Sequence, residues 1–183
     1  LTGLLMLDAA LFRLKAAAIE EPQFRLGLTM LENAIAGSRD GVNAARVNDI
    51  EFALHDLAAT VDFLSAEEAE RVREPLELLR QDVESLRATT ALAPEVIARI
   101  GALVTKLRAR SSAVEKQTYQ EGGGGEPLPH QPEELKAEAV PLARELAAAG
   151  FVTPALDALI EDPGSLRLHG MREILDELEV IAH

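Results

Sequence analysis

Two adjacent stretches of this chain share one unbroken heptad spacing: Val47, Ile50, Leu54, Leu57, Val61, Leu64, and then Ala69, Val72, Leu76, Leu79, Val83, Leu86. Steps that alternate between three and four align these side chains along one seam of a helix lying against other helices at a shallow angle. Only a few residues around Ser65-Ala66-Glu67-Glu68 separate the two seams. There the Ser65 hydroxyl can accept the backbone N–H three residues on while the Glu68 carboxylate accepts the Ser65 N–H, a capping box that starts a helix. The spacing therefore predicts an antiparallel helical hairpin with almost no loop, a constraint few other architectures satisfy.

The remaining sequence is of the same kind. Aromatic residues make up 3% of the 183 residues, and β-branched or aromatic runs of strand type are missing. The fold class expected is all-α, an antiparallel helical bundle with heptad, coiled-coil-like packing plus a small helical C-terminal unit. Leu4, Leu7, Leu11, Leu14 and Ala18 predict a first helix that ends before Pro22. Pro22 suits the first turn of a second helix, where its missing N–H costs nothing; Phe24, Leu28, Leu31 and Ile35 are its stripe and Gly37 its C-terminal cap. The third and fourth helices are the hairpin, with Glu67–Arg71, Arg73–Glu77 and Glu84–Arg87 as expected surface pairs. Pro94 opens a fifth helix with Val96, Ile97, Ile100, Leu103, Val104, Leu107 and Val114 on its apolar side.

Four consecutive glycines, Gly122 to Gly125, and the prolines Pro127, Pro129 and Pro132 rule out regular structure in the segment that follows. It reads as a linker, either natural low complexity or an artificial join of two pieces. Beyond it, the spacing predicts a helix from Pro132 with a kink at Pro141 and an end at Gly150, a short helix capped by Thr153, and a last helix with Leu168, Met171, Leu175 and Leu178 inward. The expected organisation is a five-helix bundle over 1–120, a Gly/Pro-rich linker over 121–132, and a small acidic three-helix unit over 133–183. So thin a terminal core is expected to dock on another surface.

A net charge of −13 makes neutralisation of a phosphate backbone an improbable task, so nucleic acid is not an expected partner. The acidity is uneven: residues 1–120 hold 18 acids and 14 bases, whereas 121–183 hold 13 acids and 4 bases. The chain has no cysteine, which removes disulfides and thiolate metal sites. The apolar run from Leu4 to Phe12 is too short to span a bilayer and lacks the basic lead of a signal peptide, so a cytoplasmic location is the default expectation. The same run, Leu4-Leu5-Met6-Leu7 with Leu11-Phe12, is wider than one seam needs. Either the first helix is central in the bundle or it joins a second subunit.

Chemistry concentrates at Ile50-Glu51-Phe52-Ala53-Leu54-His55-Asp56-Leu57. His55 stands at the edge of the seam with Asp56 beside it as an orienting acid. A His-Asp-Leu run on the first helix of a helical hairpin resembles the phospho-accepting box of histidine-kinase dimerisation domains and related phosphotransferases; the resemblance implies a bundle of paired hairpins in which the histidine takes a phosphoryl group. The sequence departs from that family at Ala59, where a polar residue is usual, and carries no nucleotide-binding loop, so a kinase is excluded and a phosphotransfer protein using His55 remains an alternative. Glu51 and His55, four apart, share a helix face, but a metal needs three or four ligands; a metal-binding bundle is the weaker alternative, and no metal or other cofactor is expected.

Arg99, Lys106 and Arg110 share one face of the fifth helix, and the tail offers complementary carboxylates in Glu133, Glu134, Glu138 and Glu145, and in Asp176, Glu177 and Glu179. The leading expectation is a non-enzymatic protein–protein interaction module, an adaptor, regulator or assembly subunit whose acidic C-terminal helices dock on a basic or apolar helical surface in cis or in trans. The expected partner is another protein or a second copy, as in a homodimer.

Overall fold

The computed structural model describes residues 2–119, 125 and 127–182. Among these are eight α-helices and no strand: α1 (Thr2–Ala16), α2 (Pro22–Gly37), α3 (Ala44–Ala59), α4 (Ala66–Thr90), α5 (Pro94–Tyr119), α6 (Pro132–Ala148), α7 (Pro154–Glu161) and α8 (Leu168–Ala182). Short 3-10 turns follow α3 at Thr60–Phe63 and α7 at Pro163–Ser165. The all-α expectation holds, and the contacts indicate antiparallel packing of consecutive helices. The glycine-rich segment expected as a linker lies largely outside the described residues.

The chain forms two compact units, Leu1–Ala91 and Leu92–His183. In the first, α4 packs on α1 and on α3, and α3 packs on α2. Its core joins Leu7, Leu11 and Leu14 of α1, Phe24, Leu31 and Ile35 of α2, Val47, Ile50, Leu54 and Leu57 of α3, and Val72, Leu79 and Val83 of α4. Most of the heptad positions are thus buried, with Val61, Leu64, Leu76 and Leu86 half-buried at its margin. The capping box forms as the sequence predicts: Glu68 N donates to Ser65 Oγ at 3.3 Å and Ser65 N to Glu68 Oε2 at 3.0 Å. Glycine at position 27 permits the α2–α3 approach, because a Cβ there would stand 3.2 Å from the Leu57 Cα. At the start of α2, Glu21 Oε2 accepts from Phe24 N at 2.6 Å, the cap that precedes Pro22.

The second unit is built on α5, which packs on α6 and α8, with α7 against both α6 and α8. Val96, Ile100, Leu103 and Leu107 share a core with Leu135, Leu142 and Leu146 of α6, Leu156 and Leu159 of α7, and Met171, Ile174 and Leu178 of α8. Sequence spacing grouped the fifth helix with residues 1–120, whereas here its apolar face belongs with the helices beyond the linker. The physical reason is a surface match: α5 presents bases to the acidic faces of α6 and α8, and its stripe gives the thin C-terminal helices a core. Pro141 stands inside α6, which runs through it, and Gly150 closes the helix with φ 89°.

Candidate functional site

The side chains of α3 and α4 leave a surface groove of about 760 Å³ between them. Its floor is apolar, made by Leu54, Ala58 and Val61 from α3 and its trailing turn and by Ala69, Val72 and Leu76 from α4. These are heptad positions and their neighbours, so the pattern that closes the core also lines the outside of the hairpin. The rim is polar and differs between its two sides. Glu51, His55 and Asp62 edge the α3 side; Arg73, Glu77 and Arg80 edge the α4 side.

Ion pairs order this rim. Arg87 Nη1 reaches across from α4 to Glu51 Oε1 at 2.8 Å. Glu77 accepts from Arg80 Nε at 3.0 Å, from Arg80 Nη2 at 2.7 Å and from Gln81 Nε2 at 3.0 Å, and these bonds pull its carboxyl down to about 2. Arg73 turns to Glu70 at 2.8 Å. The expected Arg73–Glu77 pair is therefore replaced, since each of the two finds a better-oriented neighbour three residues away, while Arg87 reaches a carboxylate on α3. Such exposed pairs contribute little to stability.

His55 and Asp56 are both exposed, and no hydrogen bond joins them among the described residues. Glu51 engages Arg87 rather than His55. No group of three or more His, Asp or Glu side chains is placed to hold a metal ion among the described residues, so Glu51 and His55 lack the further ligands a metal requires. No single helix among them is long and apolar enough to cross a membrane.

The charged residues singled out on α5 meet the C-terminal helices within the second unit. Arg99 Nη1 donates to both Glu145 oxygens at 2.7 Å, Lys106 pairs with Glu138, and Arg108 pairs with Glu179. Arg172 of α8 completes the set with Glu115 at 2.6 Å. Arg110 is buried instead of solvated, and donates to the carbonyl oxygens of Pro129 and His130 at 3.2 and 3.0 Å. It ties the residues before α6 to α5, and burial lowers its pKa. Glu133 and Glu134 sit exposed in the first turn of α6, where their charge suits the helix dipole, with Glu134 3.8 Å from the His130 ring. Asp176 is exposed.

Glu177 has a role that charge counting missed. Its Oε2 accepts the Ala155 N–H at 2.7 Å, so a residue of α8 caps α7. Thr153, the expected cap, makes no side-chain bond there. Spacing within α7 could not reveal a cap supplied from another helix.

Exposed apolar side chains are unevenly spread. Leu5, Met6 and Phe12 on α1, Leu26 and Met30 on α2, and Phe52 and Phe63 on and after α3 are open, while α4 exposes no large apolar residue among those described. Compared with protein-family models, with curated proteins and with solved structures, the chain gives no match.

Proposed function

We propose that this protein is a non-enzymatic helical interaction module whose N-terminal unit receives an amphipathic helix of a protein partner in the α3/α4 groove. The observation that carries the reading is the groove itself, an apolar floor between rims of different charge. From Glu51 to Asp62 it runs eleven residues, roughly 16 Å at 1.5 Å per residue, which accommodates about three turns of a third helix. Apolar anchors at i, i+4 and i+7 of that helix would fill the floor, while rim charges set register and on-rate. The partner's flanks follow from the rims: Lys or Arg toward Glu51 and Asp62, Asp or Glu toward Arg73 and Arg80. Knobs-into-holes packing of α3 on α4 belongs to the same reading, since a third helix would extend that seam. The acidic C-terminal helices, by this account, spend their charge in cis on α5. A cytoplasmic location is part of the proposal.

The test is a displayed library of three-turn amphipathic helices panned against the whole chain. Selected peptides should carry basic residues on one flank and acidic residues on the other. Their binding should be lost with Ala58→Arg, which fills an exposed part of the groove, and kept with Phe12→Glu. Failure to select any helix, or binding indifferent to Ala58→Arg, overturns the reading.

Phosphotransfer through His55 is the second reading, favoured by the exposure of the imidazole on the groove's rim. Incubation with acetyl phosphate should then leave one acid-labile phosphoryl group on the wild-type chain and none on His55→Gln. An unmodified wild type removes it.

A further inference from the structure

Leu5, Ala9, Phe12 and Ala16 are spaced four, three and four, so they form one stripe along α1, and all four are exposed. Leu5 is 67% and Phe12 74% exposed, with Met6 at 54% beside them. The opposite face of the helix holds Leu7, Leu11 and Leu14 in the core. Among the described residues of its own unit, the first helix is therefore enclosed on one side, and its second apolar face has no cover there.

The stripe alternates large, small, large, small. Laid antiparallel on a second copy about a twofold axis between positions 10 and 11, Leu5 faces Ala16, and Ala9 faces Phe12, and each pairing occurs twice. An isologous contact requires this reciprocity, in which residue i meets j and j meets i. Bulk meets space at every level of the seam, as close packing of two helices demands.

Charge selects the same occupant. The stripe bears no charge, and α1 carries Asp8, Arg13 and Lys15 for a net +1 in a chain of net −13. It is a face on which two such acidic molecules can approach without setting like charges opposite one another. Asp8 and Lys15 flank the stripe on the same side, and each is already paired within its own chain, Asp8 with Arg39 at 3.6 Å and Lys15 with Glu32 at 2.6 Å, so this flank brings no unbalanced charge to the seam. Burial of Leu5, Met6 and Phe12 from both copies covers at most about 800 Å² in total, below the usual span for stable association, so the contact is a weak one.

We infer that the exposed stripe Leu5-Ala9-Phe12-Ala16 of α1 is the seam of a weak antiparallel homodimer. The seam goes beyond the groove reading and stands whether or not the groove takes a partner helix.

Sedimentation of the full chain from low to high micromolar concentration tests it. The wild type should shift from monomer to dimer across that range. Phe12→Glu and, separately, Leu5→Lys should weaken the association by roughly 30-fold or more while leaving the helical circular dichroism intact, since both side chains lie outside the core. Ala58→Arg should leave the dimer unchanged, which separates this seam from the groove. Because the chain has no cysteine, single thiols report the register. In the antiparallel seam two copies of position 9 lie about 4.5 Å apart along the axis and two copies of position 16 about 16 Å apart. A bis-maleimide about 10 Å long should therefore link Ala9→Cys and not Ala16→Cys. A chain that stays monomeric throughout, a dimer indifferent to Phe12→Glu and Leu5→Lys, or equal linking at positions 9 and 16 overturns the inference. So does a monomer that binds anionic vesicles through Phe12, which would assign the stripe to a lipid surface.

Discussion

At the scale of single residues, the unusual groups are those that act outside their own element. Glu177 leaves α8 to accept the Ala155 N–H of α7, and its other oxygen is buried without a partner. Burial raises its pKa, and Asp157 and Glu173 push the same way against the stabilising N–H groups of Ala155 and Leu156. A carboxyl whose folded pKa lies above its unfolded one contributes stability that is full below the ordinary glutamate range and is lost as pH rises through the folded value. Glu177→Gln keeps an acceptor for Ala155 and removes the charge. Its urea midpoint should therefore gain on the wild type between pH 4.5 and 7.5, and a constant difference between the two would refute the argument. Ala18 departs from expectation in another way: spacing placed it in the stripe of the first helix, but it lies exposed beyond the end of α1 at φ 50°, a conformation that strains any side chain. Ala18→Gly should raise stability by about 0.5–1 kcal/mol after the larger entropy of the unfolded glycine chain is discounted. A thermal midpoint a few degrees higher is the measurement. Neither residue's role was legible beforehand: Glu177 counted as one acid among many, and nothing local marks Ala18 as left-handed.

At the scale of the element, legibility follows how local the cause is. The capping box of α4, the proline-led starts of α2, α5, α6 and α7, and the seam of α4 depend on neighbours a few positions away, and each appears where spacing puts it; the seam of α3 stops short at Leu57, because α3 ends at Ala59 and Val61 and Leu64 fall in and after a 3-10 turn. Surface ion pairs were less legible, because Arg73, Arg80 and Arg87 choose among several carboxylates by geometry that spacing does not fix. Position 27 shows the same division. In sequence it reads as an unfavourable glycine within a helix, and in the structure it is the point where α2 comes closest to α3. Gly27→Ala gains about 1 kcal/mol of helix propensity but pushes a methyl against Leu57, whose Cα would be 3.2 Å away. Overpacking of this sort costs roughly 1–3 kcal/mol, and since the opposing atom is backbone the helices themselves must part. The expected outcome is a net loss of about 1 kcal/mol in denaturant unfolding; a gain would mean that the α2–α3 contact yields easily.

At the scale of the whole molecule, heptad continuity is a poor guide to which helices share a core. The third, fourth and fifth helices all carry apolar stripes, yet α3 and α4 bury theirs with α1 and α2, and α5 buries its own with α6, α7 and α8. The sequence signals for the division were present but weak: a proline at position 94 opening α5, and a stronger excess of acids over bases after residue 120 to match the bases on α5. The groove was half legible, since His55 and Glu51 were singled out without the apolar floor beside them. Two cores with no shared residue predict that damage to one stays within it. Leu57→Ala removes a fully buried side chain from the first unit and Leu142→Ala one that is 1% exposed from the second. Each should cost roughly 2–5 kcal/mol in its own unit. Amide hydrogen exchange on the full chain reads both units at once. With Leu57→Ala, protection should fall across α1 to α4 and hold in α5 to α8; with Leu142→Ala the pattern should invert, because an amide's protection reports the cooperative unit that must open to expose it. Equal loss across all eight helices from either substitution would show a single cooperative domain and would reunite α5 with the N-terminal bundle.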